Sequence, residues 1–183
     1  MGRTKGTSIV EIVKFLRTRR DEARLALPAA LHHYLDARVL ESSWYPEEDL
    51  VALVAALVEI LDAPAEDILA FLGAEAMRHN LSGAYAHLFQ RYKGERVLRV
   101  GGVVWKAMHD TGKLCLVRDA VGRGRCELID FVHPSGEMCG ILVGYARALL
   151  ELAGYRDIQV HKDCCLLQGD DCCAWSFTWS ESA

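Results

Sequence analysis

Proline is scarce, with four residues in 183, and no Pro- or Ser-rich stretch, low-complexity run or internal repeat interrupts the chain. Nothing marks a linker, so residues 1–183 read as a single domain. An excess of one charge is also missing: 21 Lys and Arg stand against 25 Asp and Glu, a net charge of −4. At that charge no global field recruits nucleic acid or an anionic membrane surface. No apolar run approaches the roughly 18 residues of a membrane helix. Met1 to Gly6 is short and polar, without the apolar core of a secretory signal, so a cytoplasmic protein with no membrane partner is expected.

Catalytic and nucleotide motifs are absent as well. There is no Walker sequence, no G-x-G-x-x-G, no H-E-x-x-H and no paired carboxylates, and Gly122-Arg123-Gly124 suits a turn better than a phosphate cradle. No residue acquires a hydride, proton or nucleophile role on physical grounds, so a non-enzyme is expected. The basic group Lys14, Arg17, Arg19, Arg20 and Arg24 reads as the solvated face of an amphipathic helix.

What the chain does have is two successive patterns. From Ser8 to about Asp110 apolar residues recur at helical spacing. Examples are Ile9, Ile12, Val13 and Leu16, and then Leu50, Leu53, Val54, Leu57 and Leu61 in a helix over 49–61 that is expected to be central. From Lys113 the runs become short and alternating: 113–119 and 125–131 around Val121-Gly122-Arg123-Gly124 predict one hairpin, and 158–164 with 172–179 a second. Between them, Glu137 to Ala153 is helical, with Gly154 where a C-terminal cap belongs. The fold class is α+β, a helical half over 8–110 packed on a small antiparallel sheet built from two hairpins with a helix between them, over 111–179.

Cysteine carries the densest signal. Four of the seven lie in one ten-residue stretch, Cys164-Cys165 and Cys172-Cys173, around Gly169-Asp170-Asp171. In a cytoplasmic chain these are reduced thiols or metal ligands rather than a disulfide framework. Strand alternation puts Cys173, Trp175, Phe177 and Trp179 on one buried face, and His161, Asp163 and Cys165 on one face of the preceding strand. If Cys165 and Cys173 face each other, a zinc-like ion needs two more ligands, and His161 or Asp163 and Cys139 are the candidates. Buried structural thiols are the competing reading.

These residues also carry a resemblance. Cys139-Gly140-Ile141-Leu142-Val143-Gly144-Tyr145, then Ala153-Gly154, then Cys165, Gly169 and Cys173, and a closing Trp179, resemble the 4-vinyl reductase type of small-molecule-binding domain over about Val117 to Trp179. Lys5-Gly6-Thr7 and Trp44-Tyr45-Pro46-Glu47-Glu48-Asp49, each leading into an apolar helix, look like the opening of the heme nitric-oxide/oxygen-binding domain. Both belong to a superfamily that includes TRAPP subunits, and a group of myxobacterial proteins of this length looks similar throughout, which implies a bacterial source. The resemblance implies a metal site on Cys139, Cys165 and Cys173 with a carboxylate near Lys162. Lys162 departs from that pattern, so His161 or Asp163 would have to substitute. The heme branch needs an axial His where this chain reads Gly101-Gly102-Val103-Val104-Trp105, and a Tyr-x-Ser-x-Arg clamp that is missing; no heme is expected, His109 being the one local substitute.

The function expected is non-catalytic sensing of a small hydrophobic molecule in a pocket between helices and sheet, lined by Trp105, Met108, Phe131, Tyr145 and Trp175, with a structural zinc on Cys139, His161, Cys165 and Cys173. The alternative is a dimeric, TRAPP-like adaptor in which Leu27, Leu31, Leu50, Leu53, Val54 and Leu57 exceed what one core can hide and serve a homodimer or a partner protein.

Overall fold

Thr4 is a polar residue with no exposure, and its burial explains the first element of the computed structural model, which describes residues 2–82, 86–87 and 97–180. Arg3–Lys5 (β1) pairs antiparallel with Trp44–Pro46 (β2), Thr4 opposite Tyr45. The Thr4 hydroxyl donates to the Met108 carbonyl at 3.2 Å, so the group is hydrogen-bonded where water cannot reach it. The polar N-terminus is thus a strand of a two-stranded sheet, which composition did not reveal.

The helices are Val10–Thr18 (α1), Arg20–Ala26 (α2), His33–Asp36 (α3), Glu47–Ile60 (α4), Ala65–Ser82 (α5), Leu98–Met108 (α6) and Gly136–Leu152 (α7). Parts of the expected helical half, 83–85 and 88–96, lie outside the described residues. α4 begins at Glu47 rather than Asp49, because Pro46 sets its entry and three acids complement the helix dipole in its first turn. α7 is capped at both ends. Ser135 Oγ accepts from the Met138 N–H at 3.1 Å, and Gly154, at φ +91°, turns the chain while Tyr155 N–H reaches Leu150 O and Gly154 N–H reaches Glu151 O.

Lys113–Ala120 (β3), Arg123–Ile129 (β4), Arg156–Cys164 (β5) and Cys173–Ser180 (β6) form a four-stranded antiparallel sheet in the order β3-β4-β6-β5. The two expected hairpins are joined by β4 and β6, with Cys126 opposite Trp175 and Leu128 opposite Cys173. The first reversal is shorter than the sequence suggests: β4 starts at Arg123, and Gly122 at φ +70° makes the turn. Cys115 and Cys126 do not meet, because Cys115 pairs with Glu127 and Cys126 with Leu116.

The core spans both halves. Leu27, Leu31, Leu50, Leu53, Val54 and Leu57 are all buried in it, so none of the six contributes the surface patch expected for self-association. The basic group on α1 and α2 serves the helical half from outside: Arg17 donates to the carbonyls of Tyr34 and Ala37, and Arg20 and Arg24 pair with Asp36. Among the described residues no helix is long and apolar enough to cross a membrane.

The tightest joint is the crossing of α5 and α7. A Cβ on Gly73 would lie 1.9 Å from the Ile141 carbonyl oxygen, and a Cβ on Gly144 1.8 Å from that of Ala70. Each glycine therefore lets one backbone rest on the other. Gly144→Ala is expected to lower stability in urea by about 1–3 kcal/mol, the usual cost of overpacking. Gly136→Ala, whose methyl meets nothing within 4 Å, should change it by less than about 1 kcal/mol. Equal effects would show that the crossing tolerates a side chain.

Candidate functional site

The glycines bring α5 and α7 into contact, and α6 lies along one flank of the pair. A cavity of about 330 Å³ lies there. α5 contributes Leu72, Ala76 and Asn80; α6 Gly101, Val104, Trp105 and Met108; β3 Leu114; α7 Met138, Ile141, Leu142 and Tyr145; Ile12 of α1 and Leu50 of α4 add apolar wall, and Thr7, Ser8, Glu11, Glu75 and His79 a polar part. Of the expected lining residues, Trp105, Met108 and Tyr145 border it. Phe131 does not; it stands edge-on behind Trp105, ring centres 5.2 Å apart. Trp175 borders a separate crevice of about 20 Å³ on the sheet side of Tyr145.

The cavity wall also holds His109, just past the end of α6. Its ring stacks on Trp105 at 3.9 Å with the planes 13° apart, and its Nδ1 lies 2.8 Å from Glu47 Oε1. Glu47 has no exposure, and its Oε2 has no hydrogen-bond partner among the described residues. β1 closes over this pair: Thr4 bridges to His109, and the Glu47 N–H donates to the Gly2 carbonyl at 2.9 Å. In the sequence Glu47 is one of three successive acids and its burial has no signal; proximity to His109 is a product of the fold.

The second arrangement is the thiol cluster. Cys139 on α7, Cys165 after β5 and Cys173 at the start of β6 bring their sulfurs within 4.8 Å of one another, Cys139 and Cys173 being 3.9 Å apart. Neither His161 nor Asp163 joins them. His161 is exposed, and Asp163 pairs with Arg125 and accepts from Ser176 Oγ at 2.6 Å. Alternation had put Cys165 on their face. An irregularity between Lys162 and Cys164 breaks the period, and Cys165 falls beyond the strand among the buried thiols.

Lys162 joins the thiols instead. Its Nζ is 2.5 Å from Cys139 Sγ and sits 4.6 Å over the Trp175 ring. Burial pushes the Cys139 thiol up to about 11, against the pull of Lys162. At Cys165 burial acts in the same upward sense, but the Leu167 N–H and Lys162 outweigh it and hold the thiol below its ordinary value. Burial pulls Lys162 down, and its contacts with Cys139 and the other two thiols more than restore it, so it stays an ammonium. An ammonium has no lone pair to give. The three thiols could hold a metal ion, but His161 does not join them, and Lys162 stands where a fourth ligand was expected.

No protein-family model matches the sequence, and no curated protein matches it. Solved structures do match in fold. An Fe(II) unliganded H-NOX protein from K. algicida superposes with a TM-score of 0.73 at 12% identity, over 97% of each chain. An H-NOX protein from S. oneidensis in its Fe(II)NO state gives 0.67 at 14%, over 97% of this chain and 99% of that one. A structure described as probing heme distortion in the H-NOX family gives 0.63 at 12%, over 98% and 96%. The chain has the fold of the heme nitric-oxide/oxygen-binding domains from end to end. This corrects the expectation of no heme: that exclusion rested on missing motif residues, whereas the matched structures are described as Fe(II) H-NOX proteins and, in one case, as probing heme distortion.

Two outcomes are expected. His109→Leu leaves the Glu47 carboxylate buried without a partner and should cost about 3–5 kcal/mol in urea denaturation, whereas Glu47→Gln keeps an acceptor and should cost about 1 kcal/mol. Equal losses would mean that the two side chains do not act as a pair. Lys162→Asp replaces the ammonium with a carboxylate beside the three thiols. It should bind Co(II) at least about tenfold tighter than the unmodified protein, read from thiolate-to-metal absorption; equal affinity would show that Lys162 does not keep the metal out.

Proposed function

We propose that this protein is a non-catalytic small-molecule-sensing domain whose ligand occupies the cavity between α5, α6, α7 and β3. The observation that carries the reading is the cavity itself: about 330 Å³ bordered by buried core side chains, with walls supplied by both halves of the fold. That volume is near the lower end of the ~300–1,000 Å³ typical of ligand sites, so the molecule is small. Its walls are mostly aliphatic and aromatic, which makes apolar contact the main source of affinity.

A heme is a second occupant that one observation favours. His109 has the arrangement of a metal-ligating imidazole, one ring nitrogen held by a carboxylate and the other left over, and Glu47 is the residue that fixes its tautomer. His109 would be the iron ligand, and Trp105 would keep its ring in place. A bound heme would supply an iron able to take a diatomic gas, the chemistry named for the H-NOX structures in their NO and CO states.

The thiol cluster is read as a joint that ties α7 to the β5–β6 hairpin through Lys162. The adaptor alternative loses its argument, since its six apolar residues are core.

Gly101 gives a direct test. It is buried on the cavity wall, and a Cβ there meets only the Leu114 side chain, at 3.5 Å, so a longer side chain can grow into the cavity. Gly101→Leu should leave the protein as stable or more so, by filling space and removing a mid-helix glycine. It should also abolish the rise in melting temperature that hemin or an apolar small molecule produces in the unmodified protein. Stabilisation that survives Gly101→Leu, or a complete lack of it from both kinds of ligand, would sink the reading.

A further inference from the structure

Three polar side chains are buried in the described residues: Thr4, Glu47 and Asn80. Thr4 donates to Met108 O, and Glu47 takes His109 Nδ1. Asn80 is 7% exposed, and its carboxamide makes no hydrogen bond among the described residues. It lies on the cavity wall, on the same helix as Leu72 and Ala76. A carboxamide has two donor hydrogens and an acceptor oxygen, and in a mostly apolar surrounding it favours an occupant that pairs them. A leucine would fill the same place with no polar group to pair. The carboxamide is therefore a polar group on the wall that the described residues leave for an occupant, or water, to pair.

The surrounding charges limit what that occupant carries. Glu47 is buried behind His109, and the two other acids at the cavity, Glu11 and Glu75, are held on its exposed side by Lys14 and Arg78. An anionic head would meet a buried carboxylate in a poorly solvated space, and a cationic one would be desolvated against mostly apolar walls. A neutral head avoids both.

We propose that the cavity selects a neutral, mostly apolar molecule with one head that both donates and accepts a hydrogen bond, a carboxamide or a hydroxyl, and that Asn80 is the specificity-determining contact. This rests on the cavity reading above and adds the chemical class of its ligand. The aliphatic and aromatic walls hold the body of the molecule and Asn80 reads its head. A site built to pair such a head rejects the analogue that lacks it, because the protein's own polar group is then left unmatched.

The test is matched sets on two ring sizes: benzamide, toluene and benzoate, and 1-naphthamide, 1-methylnaphthalene and 1-naphthoate, titrated calorimetrically into the full chain. In the unmodified protein the amide of at least one set should bind about tenfold or more tighter than its hydrocarbon, with the carboxylate weakest. Asn80→Leu, a change of similar volume that removes the unmatched group and favours folding, should keep hydrocarbon binding and erase the amide's advantage. Hydrocarbon and amide binding equally in both proteins, each lost in Gly101→Leu, would overturn this inference and leave the cavity reading standing. A carboxylate that binds best would overturn the neutral head, and no binding by any probe would overturn both readings together.

Discussion

The backbone contact between α5 and α7 is the constraint from which the rest of the molecule is arranged. Two helices that touch carbonyl to glycine at Gly73 and Gly144 leave no room for an ordinary side chain between them there. The two helices stay in contact from Leu69 and Gly140 to Arg78 and Glu151, and the cavity lies along one flank of that seam, with Leu72, Ala76 and Asn80 on one wall and Ile141 and Tyr145 on the other. On the other side α7 rides over the sheet and delivers Cys139 to Cys173 and Lys162. A longer side chain at either glycine would push the helices apart and disturb both places at once.

The N-terminal strand depends on this arrangement less directly. β1 is only three residues long, too short to be stable by its own pairing. It is held because Thr4 finds Met108 O, Arg3 donates two hydrogen bonds to the Asp110 carboxylate and accepts one from the Asp110 N–H, and Glu47 begins α4 beneath it. The buried Glu47–His109 pair is thus shared by three elements, β1, α4 and the end of α6, and its histidine is also part of the cavity wall. A group that enters the cavity and moves His109 acts on the N-terminal strand through a pair that has no water to relax into.

Local patterns were legible and long-range pairings were not. The 137–153 periodicity with a glycine at 154 located α7 to within a residue, since caps are written in adjacent residues. The aromatic face of β6 was also legible, because Trp175, Phe177 and Trp179 alternate and all three are buried. The place of β6 between β4 and β5 was not, because strand order carries no local signature. Cys165 was assigned to the wrong face because alternation assumes an unbroken strand and the irregularity after Lys162 breaks it. Asn80 and Glu47 had no signal at all: one asparagine in a helix and one acid of three look like surface until the fold buries them.

The two polar places of the fold differ in how they are satisfied, and that difference separates their roles. In the thiol cluster the ammonium of Lys162 meets Cys139, and the sulfur of Cys173 accepts the Leu166 N–H at 3.5 Å, so donors and acceptors are matched within the protein. Such a cluster is complete as it stands and serves as a fixed joint. In the cavity the Asn80 carboxamide and the second nitrogen of His109 face no such partners among the described residues, while the body of the space is apolar. A site complete in itself holds structure, and one left incomplete gains stability when something binds, by an amount that grows with ligand concentration. The shared helix links the two: Ile141 and Tyr145 stand on the cavity wall of α7 and Cys139 at the joint, within two turns of one rigid element. The cavity and the thiol cluster therefore share one helix, whose beginning is tied to the sheet through Cys139 and Lys162.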